Sequence, residues 1–273
     1  MTVILAVSNQ KGGVAKTTSC LSLGACLAEL GWRTLVVDLD PQGHLSLAAG
    51  VDPDELEVSV VDLLLSDLPR AESQSLLLPT VMRNLDLLPA DLRLATVEQR
   101  LSERERYEYT LLHGLQSLSP LKREGESLAQ EKYDVILIDC PPSLGMLTIL
   151  ALTAAQWALI PVQCEYFASR GLLRLLDVID AVRQHTNPSL DYFIFTTLFD
   201  VRNAISRRVH EELQEHFEGH LLQTVIRLDT RLRESAMTGE PVILYAPRTR
   251  ASQEYRALAR ELVERLPQKE HIQ

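Results

Sequence analysis

The 273-residue chain carries 37 Asp and Glu against 27 Lys and Arg, a formal charge of −10. That balance excludes a histone-like, generally basic nucleic-acid binder, because neutralising phosphates takes a local excess of Lys and Arg. The deficit is uneven: residues 1–200 hold 15 basic and 26 acidic side chains and residues 201–273 hold 12 and 11, so an anionic partner is to be sought in the last quarter.

Val3–Val7 is a short apolar run, too short for a signal peptide or a membrane span, and reads as a first strand. Ser8-Asn9-Gln10 stops it, a Gly-Gly pair follows, and small and apolar residues at helical spacing from Thr17 to Leu30 predict a helix ended by Gly31. Between strand and helix lies Gln10-Lys11-Gly12-Gly13-Val14-Ala15-Lys16-Thr17-Thr18. It departs from GxxxxGK[ST], because Gln10 and Ala15 stand at both glycine positions, but its parts suit a phosphate loop. Gly12 and Gly13 let backbone N–H groups approach an anion, the helix N-terminus offers unpaired N–H groups, and Lys16 brings a point charge to the β and γ phosphates. Thr17 offers a hydroxyl to Mg²⁺, and Thr18 a further donor near the α-phosphate. At Ala15 a positive φ would cost on the order of 1 kcal/mol, so a loop conformation that tolerates a Cβ is expected, together with slow turnover.

Thr34–Val37 is a second strand candidate running into Asp38-Leu39-Asp40-Pro41, Leu85–Leu88 a third, and Val135–Ile138 a fourth, ending in Asp139 and closed by Pro141-Pro142. Ala158–Val162, Tyr192–Thr196 and Leu222–Ile226 are further candidates, separated by helix-compatible stretches such as Leu172–Gln184 and Arg207–Phe217. Strands alternating with helices, and nearly continuous in apolar residues, predict a doubly wound, mostly parallel α/β sheet flanked by helices, in one domain over residues 1–273. The stretch from Asp52 to about Glu131 is less regular. Its mixed-charge runs, Glu103–Arg106 and Lys122–Glu126, read as solvated helix faces. A final helix over about Ser252–Leu266 aligns Tyr255, Leu258, Leu262 and Leu266, a stripe expected to pack on the sheet; Glu254, Glu261 and Glu264 disfavour an anionic membrane. Cys20, Cys26, Cys140 and Cys164 match neither CxxC nor a zinc spacing and read as small buried apolar side chains in a reducing compartment.

Lys-Gly-Gly-x-x-Lys-Thr with its extra leading lysine resembles the deviant Walker A motif of the ParA/MinD ATPases, a branch of the P-loop proteins. The resemblance continues through Val36–His44, Tyr133–Leu144 and Pro161–Leu172, in the expected order, and is nearest to the short partitioning ParA proteins that lack an N-terminal helix-turn-helix domain. It implies ATP and Mg²⁺ as cofactors and a homodimer that sandwiches ATP. Lys11 would then reach the partner's phosphates, Gly12 would sit where two subunits nearly touch, Asp40 would position the attacking water, and Asp38 and Asp139 would hold Mg²⁺ through its waters. Ile226–Asp229 resembles the segment bordering the adenine, with Arg227 and Asp229 as candidate contacts. The partitioning ATPases that this chain resembles bind DNA non-specifically through dispersed basic residues that a dimer places on one face. Arg202 and Arg231 match by motif position, and Arg207, Arg208 and Arg233 accompany them. The implied function is a cytoplasmic, nucleoid-associated positioning switch, released when a ParB-like partner or cargo adaptor stimulates hydrolysis. The alternatives are a MinD-like membrane-associated division regulator, for which the terminal helix would need to be basic, or a ParA-like positioner of a protein cargo. An electron donor of the nitrogenase iron-protein kind would need a cluster ligand, and Cys140 has no second cysteine at a companion position.

Overall fold

A computed structural model describes residues 2–65, 73–121, 132–165 and 168–266, without the side chains of residues 168 and 169. Seven strands form one sheet in the order β3-β4-β2-β5-β1-β6-β7. They are β1 (Val3–Val7), β2 (Thr34–Asp38), β3 (Leu78–Pro79), β4 (Leu85–Leu88), β5 (Val135–Asp139), β6 (Trp157–Gln163) and β7 (Asp191–Thr197). Every pairing is parallel except β3 with β4. The reason is visible in β1, all five residues of which are buried. Ile4 and Ala6 face one apolar cluster, and Val3, Leu5 and Val7 face the other. A strand covered on both faces needs a crossover helix on each side, and crossovers produce parallel neighbours.

Helix α1 (Lys16–Glu29) and the last helix, α11 (Arg250–Arg265), cover the second face. Between them in chain order come α2 (His44–Ala48), α3 (Val60–Leu65), α4 (Val97–Leu101), α5 (Thr110–Ser117), α6 (Met146–Ala154), α7 (Ala168–His185), α8 (Ala204–His216), α9 (Arg231–Thr238) and α10 (Val242–Tyr245). The stripe Tyr255, Leu258, Leu262 and Leu266 is buried, as its spacing predicts, and is therefore turned to the sheet. No described helix is long and apolar enough to cross a membrane.

Two expectations fail. Leu222–Ile226 forms no strand: it runs beside β7 with isolated bridges only, Ile194 to Leu221 and Phe199 to Arg227. Between those bridges the carboxylate of Glu261 on α11 takes the backbone N–H groups of Gln223 and Thr224, at 2.6 and 2.8 Å, and so diverts the donors a ladder would use. The Glu103–Arg106 run is exposed but not helical. It is the turn between α4 and a short 3-10 segment, with Arg106 in the left-handed region at φ 56°. The Lys122–Glu126 run lies outside the described residues. All four cysteines are free and buried, and burial pushes the Cys164 thiol up to about 11 and the Cys26 thiol up to about 12.

Candidate functional site

The register of the sheet assembles the site before any side chain is considered. Val7 lies opposite Asp139 and Asp139 opposite Asp38, so the C-terminal ends of β1, β5 and β2 stand side by side where the phosphate loop leaves β1. In an open α/β sheet this carboxyl edge, where the chain crosses from one side of β1 to the other, is where ligands bind.

The loop is anchored at both ends by groups other than its own lysines. Asn9 donates from Nδ2 to the Pro161 carbonyl at 2.8 Å and accepts the Lys11 N–H at 2.9 Å, tying the loop's start to β6. Thr197, at the end of β7, donates its hydroxyl to the Val14 carbonyl at 3.0 Å. Helix α1 then opens without a side-chain cap and without an acid in its first turn. Its first N–H groups thus stay available to an anion, and the helix dipole favours one there. Lys16 is buried and donates to the Lys11 carbonyl at 3.2 Å; burial pushes its pKa down, with Asp139 pulling it back up. Thr18 is half-buried in the same first turn.

Ala15 does not take a relaxed conformation. It sits at φ 66°, ψ 33°, in the left-handed region, against the expectation of a loop that tolerates a Cβ. The N-cap position demands that turn, because it aims the loop's N–H groups and the helix axis at one point. Ala15→Gly is therefore expected to raise unfolding stability in the absence of nucleotide by about 1 kcal/mol. Denaturant titration of the two proteins measures this, and an equal or lower midpoint for the glycine variant would contradict it.

Three acids rim the loop. Asp139 and Asp38 are fully buried and Asp40 is 8% exposed. Thr17 donates its hydroxyl to Asp139 Oδ2 at 2.6 Å, which leaves the oxygen's lone pairs pointing elsewhere. Asp38 accepts the Ser46 N–H and hydroxyl, both at 2.8 Å, and the Asp40 N–H at 3.1 Å. Burial nonetheless pushes Asp38 up to about 6, and burial with the neighbouring Asp38 charge pushes Asp139 well above the usual carboxylate range. Asp139 Oδ1 is buried and has no hydrogen-bond partner among the described residues. Two crowded carboxylates, one with an orphaned oxygen beside a threonine hydroxyl, fit a divalent cation, which supplies the countercharge they lack. No group of three His, Cys, Asp or Glu among the described residues could hold a metal ion by itself.

Lys11 is held differently from Lys16. Its ammonium pairs with Glu165 and lies 3.4 Å from Gln163 Oε1, at the end of β6. Gly12 is exposed, and a Cβ placed on it would meet none of the described residues within 4 Å.

The other predicted residues stand apart from this cluster. Arg227 donates its N–H to Glu254 Oε2 at 2.8 Å and brings its Nε within 3.5 Å of the same carboxylate. Asp229 accepts the Arg231 N–H at 3.0 Å as α9 begins. Their tie to the loop is indirect, through Phe199 beside β7 and through Thr197. Arg202 sits in a turn on Asp200, Arg207 donates to the Val201 carbonyl at 2.7 Å, and Arg208 pairs with Glu212 along α8. Arg231 pairs with Glu234, and Arg233 is exposed on the same helix. Three of the five arginines thus carry their own carboxylate, so the surface is less basic than a count of arginines implies. The residues that sequence reasoning missed are the positioning ones. Ser46, Asn9 and Thr197 act through ordinary hydroxyl or amide bonds at spacings that carry no motif, and Gln163 and Glu165 lie in a matched segment with no assigned role.

A family model described as an AAA domain matches residues 2–192. The chain is 40% identical over 260 residues to the sporulation initiation inhibitor protein Soj of Bacillus subtilis, covering 95% of this chain and 97% of that one. It is 40% identical over 263 residues to the chromosome partitioning protein ParA of Myxococcus xanthus, covering 96% and 88%. A solved structure named as cobyrinic acid a,c-diamide synthase from Mycobacterium smegmatis, with bound ADP and magnesium, superposes with a TM-score of 0.79 at 39% identity, covering 97% and 95%. Matches of this identity run nearly end to end in both chains, and on that ground the chain belongs to the ParA/MinD family of P-loop ATPases.

Proposed function

We propose that this ATPase is a partitioning switch: ATP pairs two copies across their phosphate loops, the pair holds DNA non-specifically, and a ParB-like partner ends the state by stimulating hydrolysis. The observation that carries the reading is the division of labour between the two lysines. Lys16 is buried in its own loop, whereas Lys11 is drawn to the rim by Glu165, beside a Gly12 with open space around it. A lysine at the rim is placed to serve phosphates other than those its own loop holds. The ion pair that restrains it is half-exposed and so contributes about 1 kcal/mol at most. A second copy presenting ATP therefore competes with Glu165 for Lys11 at low cost.

Within one copy, the N–H groups of the loop and of the α1 N-terminus receive the phosphates and Lys16 neutralises them, with Thr17, Asp38 and Asp139 as the residues that would hold Mg²⁺. When bound, that ion would supply positive charge against the charge developing on the transferring group. Asp40 is held at the rim by a turn, its Oδ1 accepting the Gln42 N–H at 3.0 Å and its carbonyl the Gly43 N–H at 2.9 Å, and it orients the attacking water. The partitioning role draws on the names of the Bacillus and Myxococcus relatives. The buried stripe of α11 supports DNA over a membrane as the surface the switch occupies, since its apolar face is already used.

The DNA arm is tested on Arg231, whose side chain is half-exposed on α9. Arg231→Glu is expected to weaken DNA retention at low salt several-fold, to flatten its salt dependence, and to leave ATPase activity without DNA unchanged, because a phosphate contact adds affinity without sequence preference. Filter retention across a salt series measures this. Unaltered retention places the surface elsewhere, and no ATP-dependent retention by the native protein removes DNA from the reading in favour of a protein cargo or of synthase chemistry.

A further inference from the structure

The helix that follows Asp40 and the helix that carries Arg231 touch through bare backbone. Helix α2 begins two residues beyond Gln42 and is fastened to the site by Ser46, whose N–H and hydroxyl both bond Asp38, while the Ser46 oxygen also accepts the Ala90 N–H at 3.1 Å. It closes at Gly50, φ 85°, with the Gly50 N–H on the Leu47 carbonyl at 3.0 Å and the Val51 N–H on the Ser46 carbonyl at 2.9 Å. Helix α9 closes at Gly239, φ 71°, with the Glu240 N–H on the Ser235 carbonyl at 3.3 Å. These two glycines meet. A Cβ built on Gly239 would lie 2.7 Å from Gly50 Cα and 3.1 Å from Gly50 N, and one built on Gly50 would lie 3.3 Å from the Gly239 carbonyl oxygen. Around them Leu45, Ala48 and Ala49 share one buried cluster with Leu232, Val242 and Ile243.

We infer that the Gly50–Gly239 contact couples the nucleotide site to the arginine-bearing helix α9, so that the position of α2 over Asp38 and Asp40 sets the position of Arg231 and Arg233. This deepens the switch reading and rests on it for the DNA outcome. Side chains at an interface absorb small displacements by changing rotamer; two backbones in contact have none to change, and a closely packed interior passes the displacement on. The chain of parts is short: Asp38 to Ser46, α2 as a single rigid turn and a half, Gly50 to Gly239, and α9 to its N-terminal arginines. An ATP-bound site that draws on Asp38 and Asp40 shifts α2, and α9 follows.

Coupling of this kind is reciprocal, which supplies the test. In the native protein, the factor by which an unhydrolysable ATP analogue with Mg²⁺ raises DNA affinity over ADP equals the factor by which DNA raises affinity for the analogue over ADP. In Gly50→Ala, whose Cβ presses on the Gly239 carbonyl, both factors are expected to fall at least fivefold together, with analogue affinity in the absence of DNA within about twofold of native. A folded Gly50→Ala protein that keeps the native coupling factor overturns the inference. Hydrogen exchange on the unaltered protein decides independently of that variant's folding and of DNA. Adding the analogue with Mg²⁺ is expected to change exchange at the Gly50 and Val51 amides and at the Glu240 amide together. A change at Gly50 and Val51 with Glu240 unmoved, or no change at any of them, overturns the coupling. A native protein that shows the joint exchange change without ATP-dependent DNA retention keeps the coupling and sinks the DNA reading.

Discussion

Asp40→Ala is expected to stop nearly all ATP hydrolysis and to leave the ATP-bound dimer assembled. Asp40 is nearly buried at the rim of the loop, and its side chain makes one local bond, to the Gln42 N–H. Its truncation therefore removes no part of the hydrophobic core and neither hydrogen bond of Lys16 and Thr17, which go to the Lys11 carbonyl and to Asp139. Phosphate binding by the loop is thus expected to be preserved while the group proposed to orient water is gone, a loss on the order of 100-fold or more in turnover. Removing a carboxylate next to bound phosphates also relieves like-charge repulsion, so the ATP state persists. Phosphate release under single-turnover conditions, with light scattering in ATP and Mg²⁺, reads both halves. Hydrolysis at the native rate refutes the role given to Asp40, and a protein that stays monomeric in ATP refutes the preserved dimer.

Much of this site is legible in the sequence because P-loop chemistry is local. Lys11 through Thr18 are contiguous, and Asp38 and Asp139 are the last residues of apolar runs whose parallel pairing brings their ends together. The strands read easily for the same reason: a run buried on both faces is apolar throughout. What was not legible depends on contacts across the fold. Leu222–Ile226 has a strand's composition but loses its ladder to Glu261, 35 or more residues later in the chain. Helix α6, Met146–Ala154, is apolar almost all round and so lacks the periodicity that marks a surface helix. The two-residue β3 is too short to carry a pattern. Ala15 shows the limit most sharply: its residue type argues for a relaxed loop, and the left-handed turn it takes is imposed by the geometry of the helix start. The surface of the arginines proposed to meet DNA is not legible in the sequence, since the carboxylates that temper Arg202, Arg208 and Arg231 are set by local backbone and helical spacing.

Lys11→Ala provides the strictest test of the paired arrangement, because it separates a lysine that serves its own ATP from one that serves the partner's. The variant keeps Lys16, the α1 N-terminus and all three acids, so it is expected to bind ATP with little loss. Folding is also spared, since the ion pair it gives up with Glu165 lies at the surface and is worth little. Turnover is expected to fall by about 10³-fold or more, the scale of a cationic finger supplied in trans to a transferring phosphoryl group. Mixing decides the geometry. Lys11→Ala and Asp40→Ala are each inactive alone, but a dimer with one of each has a complete site in the Lys11→Ala subunit if Lys11 comes from the partner. With random pairing in a two-fold dimer, half the dimers are mixed and one site in two is complete, so about a quarter of native turnover returns. If Lys11 instead serves its own subunit, the mixed dimer has one site without the lysine and one without the aspartate. An equimolar mixture that stays as inactive as its components, under conditions where subunit exchange is shown by labelled protein, excludes action in trans and with it the ATP-sandwiched dimer as the working form of this switch.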